Sequence, residues 1–407
     1  MLYLGNQKIC PIITVESSSG GSTVGDYLIR VFDYDGTIID RQYLNQGDTY
    51  TLPQAPTHSN LVFQEWSSSA TITNNTVTVT DNNIDIGAIY TTKSGKSEFD
   101  ISLNVITNKT FSLLMDGTKD WGDGTVDTET SHTYADYGDY TVTCDGSNVT
   151  KSGGYRNLFN VVQSNNYIVK NIRLAKITEF ASYLLSYNFA LETLSLPNTI
   201  TGSIGNGGLC YNHSLKHINL PSGITSLGDE VCSNNYSLES MVIPSSVLSV
   251  GSSVFYQCYG LKSLTLLHND TLKNNTFYYC FALDSFKIPD EVTSIGNNCF
   301  QQCRALNGIK IPSGVTQINT SAFRQCPSLG KVNIPKSVSQ INSYSFYDCT
   351  AVKEYDFSHH ESVPTLSSTN AFNNINGACK IKVPSALAAT WKTTTNWVTY
   401  ANYIIGV

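Results

Sequence analysis

Phe300-Gln301-Gln302-Cys303-Arg304-Ala305-Leu306-Asn307-Gly308-Ile309-Lys310-Ile311-Pro312 is the stretch that decides the fold. An aromatic residue is followed by Cys, then Leu, at intervals of three. Apolar residues stand three and five places after the Leu, and Pro closes the unit. Taking the Leu as position 0, the unit recurs at Leu191, Leu215, Leu238, Leu261, Leu283, Leu306, Leu329 and Val352, with gaps of 24, 23, 23, 22, 23, 23 and 23 residues. A degenerate copy precedes these (Val169, Ile172, Leu174) and another follows (Phe372, Ile381, Val383, Pro384). A fixed period of this length marks stacked repeats.

The spacing carries its own physics. Positions 0, +3 and +5 make a short strand whose last two side chains point inward. Pro at +6 has no N–H and ends the strand. Val315 and Ile318, at +9 and +12, re-enter the core. Gly228, Gly251 and Gly296 predict a left-handed turn soon after. The aromatic and Cys are expected on a helical or 3₁₀ turn on the opposite side. A single coil cannot offset an ordering cost of roughly 1–2 kcal/mol per residue. Stacked coils share one core, so the predicted product is a right-handed solenoid with capped ends. About ten coils at ~4.8 Å per strand span roughly 45–50 Å.

The Phe-x-x-Cys-x-x-Leu-x-x-Ile-x-Ile-Pro-x-x-Val pattern resembles the BspA-like class of bacterial leucine-rich repeats over about residues 165–385. It lacks the Asn/Cys that follows the strand in the general leucine-rich pattern. The resemblance implies a surface-displayed binding or adhesion array. We place the solenoid at 155–384 and a C-terminal cap at 385–407, with a short helix around Ala386–Trp391 and a closing strand over Asn402–Val407.

Two smaller β modules stand upstream, after an N-terminal segment and Ser/Gly linker at 1–25 (Ser17–Ser22). Residues 26–92 alternate as strands, with Asp33-Tyr34-Asp35-Gly36 as a hairpin turn. Val31–Gly36, Gly47-Asp48-Thr49, Leu52-Pro53 and Phe63-Gln64-Glu65-Trp66 resemble a Listeria–Bacteroides repeat, a β-grasp-like unit. Glu65 stands where that family usually has Gly. Residues 97–150 carry Asp120-Trp121-Gly122-Asp123-Gly124-Thr125, His132-Thr133-Tyr134 and Gly138–Thr143, similar to a polycystic-kidney-disease (PKD) domain. That resemblance implies an immunoglobulin-like sandwich with Trp121 and Tyr140 in its core. Both resemblances imply spacers. The expected fold is mainly β: two small modules, then a leucine-rich-repeat solenoid.

Composition narrows the function. Only 14% of the 407 residues are charged, against roughly 25% in a typical soluble protein. A net charge of −7 and a pI near 5.5 argue against nucleic-acid binding. No run of 18 apolar residues predicts a membrane span. Met1–Lys8 does not read as a signal peptide.

Candidate chemistry is sparse. Cys258, Cys280, Cys303, Cys326 and Cys349 form a ladder, expected as buried free thiols acting as small hydrophobes. Cys299 and Cys303 lack a second ligand pair nearby, so no metal is assigned to them. His213 and His217 have zinc-pair spacing, but the repeat puts one on a turn and one on a strand, and two exposed histidines are expected. His359-His360-Glu361 falls in an irregular loop, and Asp120, Asp123 and Asp127 could hold Ca²⁺ or simply stabilise turns. No catalytic motif appears, and neither enzyme activity nor a cofactor is expected.

Two surfaces remain. Positions +2 and +4 are expected to project from the strand face, with His217, Asn219, Lys287, Lys310, Lys331, Asn333, Glu354, Asp356, Lys380 and Lys382 as candidate ligand contacts. A merely solvated face is the alternative. Along the turns, Tyr256, Tyr259, Tyr278, Tyr279, Tyr344 and Tyr347 suit sugar stacking or protein contact, or are partly buried between coils. The expected partner is a cell-surface glycan or protein, with the N-terminal modules holding other virion or surface proteins. Met1-Leu2-Tyr3-Leu4-Gly5-Asn6 resembles the start of tail-associated proteins of gut bacteriophages. A phage tail receptor-binding protein is therefore expected, with a bacterial surface adhesin or a ligand-free structural component as alternatives.

Overall fold

The computed structural model describes residues 25–105, 109–149, 157–159, 168–266 and 270–407. The segment and linker expected before residue 25 lie outside them. From Val169 onward the chain is a β-solenoid whose strand ladder includes Val169–Arg173, Thr193–Ser195, His217–Asn219, Ser240–Val242, Ile309–Lys310, Lys331–Asn333, Glu354–Asp356 and Lys380–Val383. From Ile309–Lys310 to Lys380–Val383 neighbouring strands pair in parallel, one repeat apart: Val332 opposes both Ile309 and Tyr355.

The opposite side of each coil is built of turns that the sequence spacing does not reveal. Non-glycine residues with φ between 56° and 65° recur at positions −8 and −4, as in Asn275/Tyr279, Asn298/Gln302 and Ser321/Gln325. Each left-handed residue costs roughly 1–2 kcal/mol. The alternation aims successive amides at the next coil: Asn298, Phe300 and Gln302 donate N–H bonds to the carbonyls of Thr320, Ala322 and Arg324 at 3.0, 2.8 and 2.8 Å. The glycines serve a different purpose from the one expected. Gly228, Gly251 and Gly296 are not left-handed; a Cβ at Gly251 would lie 2.3 Å from the Gly228 carbonyl oxygen of the coil below. They permit close approach of backbones.

The core is laddered as well. Phe255, Phe277, Phe300, Phe323, Phe346 and Phe372 stack with ring centroids 5.3–5.5 Å apart and nearly parallel planes. All ten described cysteines are buried and free. The five ladder thiols are more than small hydrophobes. Each donates to the carbonyl at position −6 of the preceding coil, as Cys303 does to Phe277 at 3.2 Å and Cys326 to Phe300 at 3.1 Å. In earlier coils Asn212 and Asn235 occupy the same position and donate to the corresponding carbonyls of Leu185 and Leu209, both at 3.0 Å.

The ends are closed. Helix α1 (Ala388–Thr393) and the strand Ile404–Gly406, which pairs with Lys380–Val383, cover the last coil. Trp391 and Trp397 are buried there against Phe357. At the other end Ser97–Ser102 pairs antiparallel with Val169–Arg173, so residues 97–144 extend the solenoid's own sheet. One apolar core runs from Phe99 to Ile404. Arg173 ties the junction by ion pairs to Glu98 and Asp100, both 2.9 Å. Residues 97–144 thus act as a lid on the first coil, a tighter role than the spacer expected of them. Trp121 is buried there as expected, whereas Tyr134 takes the buried place expected of Tyr140, which is only partly covered.

Residues 25–92 fold on their own core. Strands Tyr27–Phe32 (β1), Ile38–Leu44 (β2), Thr49–Thr51 (β3), Leu61–Ser68 (β4), Ile72–Thr73 (β5), Thr76–Thr78 (β6) and Ile84–Thr92 (β7) form two sheets, ordered β2-β1-β7-β4 and β3-β6-β5. Ile29, Val31, Val77, Ile84 and Ile86 fill the space between them. Asp33–Gly36 makes the expected tight turn, with Gly36 at φ +90°.

Candidate functional site

The strand face of the solenoid is divided. Over its first coils residues 25–92 lie directly on it. Asn219 Nδ2 donates to the carbonyls of Asp33 (3.1 Å) and Ala88 (3.2 Å), Ser195 Oγ to that of Tyr90 (3.1 Å), and Ser67 Oγ to that of Leu220 (2.5 Å). Gln64 and Glu65 accept bonds from Asn198 and Ser222. Farther along, Asp85 accepts from Arg30 and from Thr265, and Arg30 donates to Ser263 at 2.6 Å.

This docking corrects part of the expected ligand face. His217 and Asn219 are 3% and 4% exposed, sealed by the turn at Gly36 and by β7 at Gly87. His217 bonds Ser240 at 2.6 Å and Asn219 at 2.7 Å. Burial pushes its pKa down to about 4, so it is neutral at pH 7. It stands apart from His213, which is stacked between Phe189 and Tyr236 on the turn side.

From Ile309 onward the face is open, and its charges come together. Lys331 Nζ lies 2.6 Å from Glu354 and 3.4 Å from Asp356, and Lys382 lies 2.8 Å from the other Glu354 oxygen. The Lys331 and Lys382 ammonium groups hold the Glu354 carboxyl below the usual carboxylate range. Asn333 and Lys380 are exposed on the same strands, in register with Asp356 and Glu354. The lysines counted from the sequence are thus a mixed-sign lattice. Lys310 pairs with Asp290 at 3.1 Å, and Lys287 pairs with Asp81 from residues 25–92.

The tyrosines mostly contact one another. Tyr259 is stacked between Tyr236 and Phe281, each 4.9 Å away, so both its faces are covered. Tyr278 and Tyr279 stack at 4.2 Å, Tyr256 meets Tyr278 edge-on, and Arg324 sits over Tyr344 and Tyr347. Tyr344 is the most open of the six, and the others are partly buried. The remaining candidates are elsewhere engaged. Asp120, Asp123 and Asp127 accept backbone bonds within their own turns, and Asp123 also bonds His132. His360 is buried, bonded to the Ile334 carbonyl. Among the described residues no three His, Cys, Asp or Glu side chains converge as a metal site. No helix among them is long and apolar enough to cross a membrane.

Stacked coils that share parallel strand ladders and an inward apolar ladder define a leucine-rich-repeat solenoid. Residues 158–269 and 270–392 match the BspA type leucine rich repeat region, in six copies. That match spans more than half of the chain, and the chain belongs to this family. Among solved structures it is similar to a leucine-rich repeat protein from Bacteroides ovatus (23% identity, 53% of this chain and 66% of that one, TM-score 0.36). It is also similar to a leucine rich repeat protein of T. pallidum (16%, 49% and 89%, TM-score 0.34) and a leucine rich cell surface protein from Faecalibacterium prausnitzii (17%, 57% and 93%, TM-score 0.29). The chain thus spans just under two thirds of the Bacteroides ovatus protein. No curated protein matches it significantly in sequence.

Proposed function

We propose that the chain is a non-enzymatic recognition or adhesion protein whose open strand face, from Lys310 to Lys382, meets a cell-surface protein or glycan. The observation that carries this reading is the division of the face: residues 25–92 cover the early coils and leave the mixed-charge lattice of Lys331, Glu354, Asp356 and Lys382 uncovered, with Lys331 the most exposed of the four. Alternating charges at fixed strand spacing discriminate among partners more than they add affinity. Family membership supports the same role. The setting we favour is a phage tail or fibre, on the Met1–Asn6 resemblance, with a bacterial surface adhesin as the second setting.

Binding of the labelled full chain to candidate host cells tests the role. Replacement of Lys331 and Lys382 by Gln is expected to abolish binding while the chain stays folded, with the melting temperature lowered only slightly because these pairs are partly exposed. Undiminished binding refutes the face assignment. Detection of the chain in purified virions decides the setting.

A further inference from the structure

Where residues 25–92 end on the strand face, they leave a cleft of about 300 Å³. Arg30, Asn82 and Asn83 form one wall, and Ser263, Ser285 and Lys287 the other. Phe286 and Ile309 lie beneath it with their side chains turned into the solenoid core, so the base of the cleft is largely backbone. The cleft lies beside the open face of the last coils, and its reading does not depend on that face.

Three features point to a ligand. First, the strand ladder is interrupted there. On this face pairing joins His217–Asn219 to Ser240–Val242 and resumes at Ile309–Lys310, while the segments 263–266 and 285–288 carry no strand pairing, although the same coils pair elsewhere through Thr271–Leu272 and Ser294–Ile295. Their backbone N–H and C=O groups lack the ladder partners seen from Ile309–Lys310 to Lys380–Val383, and polar backbone in a cleft takes its bonds from water or ligand. Second, Gly308 replaces the side chain that other coils present at this outward position. A Cβ there meets no atom within 4 Å, so the space it leaves is open cleft. Third, the cations at the cleft are already matched. Arg30 pairs with Asp85, Lys287 with Asp81 and Lys310 with Asp290, leaving no surplus charge to draw an anion.

We propose that this cleft binds a neutral carbohydrate of about one or two rings, a size at the small end of ligand pockets (roughly 300–1,000 Å³). Hydroxyl, amide and unladdered backbone groups match the many donors and acceptors of a sugar.

Saturation-transfer NMR on the full chain, with maltose, cellobiose, chitobiose and lactose as probes and inorganic sulfate as competitor, tests this. At least one disaccharide is expected to receive saturation that sulfate does not displace. Gly308→Trp projects an indole into the cleft from a Cβ that meets no protein atom within 4 Å, and is expected to weaken binding by about tenfold or more. Ser285→Tyr blocks the same cleft from the neighbouring coil, so the test stands if either variant fails to fold. Lys331→Glu on the open face is expected to leave saturation transfer unchanged. The proposal is overturned if no probe binds, if binding survives both blocking variants, or if sulfate competes. Sugar binding without cell binding would reject the open-face reading and keep this one.

Discussion

Gly87 and Asn219 make the docking of residues 25–92 testable by a double-mutant cycle. A Cβ on Gly87 would fall 2.3 Å from Asn219 Oδ1 and 2.4 Å from its Cγ, closer than real contacts allow. Gly87→Ala must therefore push the Asn219 carboxamide away from its two carbonyl acceptors on Asp33 and Ala88 and from His217. Overpacking costs about 1–3 kcal/mol. Losing the buried bonds adds about 2–4 kcal/mol, at roughly 1 kcal/mol per bond plus the cost of unpaired groups. Asn219→Ala alone loses only the second amount. In the double variant the clash has vanished, so its cost should not exceed that of Asn219→Ala, giving a favourable coupling of about 3 kcal/mol or more. Sites without contact add within about 0.3–0.5 kcal/mol. Hydrogen exchange of the β7 amides on the intact chain reads the opening free energy. Additive single effects would refute the docked arrangement.

Acidification should loosen the same interface. His217 titrates near 4 when buried and near 6.5 when released, so the released state binds the proton more tightly. Stability is therefore full above about pH 6.5 and falls as pH drops towards 4, by about 3 kcal/mol in all; β7 exchange should accelerate across that window in the native chain and stay flat in His217→Gln. The ladder thiols should resist iodoacetamide at pH 8 until denaturant is added, because burial lifts Cys258 and Cys349 to about 12, and rapid native labelling would contradict the packing. Cys258→Asn, which can reproduce the bond made by Asn235 in the coil below, should be more stable than Cys258→Val by about 1–2 kcal/mol in urea unfolding. Trp391→Ala should cost about 3–5 kcal/mol and uncover Phe357 on the last coil, read as a lowered melting temperature and dye binding.

Much of the strand side was legible because its signal is local. Leu306, Ile309 and Ile311 announce their own inward positions by spacing, and Pro312 its strand end. The turn side was less so, since left-handed Tyr, Gln and Ser residues leave no compositional mark. Two clues were present. Asn212 and Asn235 stand where later coils have Cys, which marks the position as a hydrogen-bond donor. Glu65, the departure from the expected Gly, is the residue that accepts both the N–H and the hydroxyl of Ser222 in docking. Neither clue names its partner.

The sequence by itself determined the period, the inward residues, the laddered core and the closing tail, because each rests on contacts between neighbouring coils whose chemistry repeats every 22 to 24 residues. Only the tertiary structure decided which part of the strand face is free. Arg30 and Ser263 are 233 positions apart, and Asn219 lies 186 residues from the Asp33 carbonyl it binds. Hydrogen bonds to backbone carbonyls carry no side-chain signature, so contacts across such distances are invisible to spacing. They turn the early part of an expected ligand face, with His217 and Asn219, into an internal interface and leave a cleft at its border.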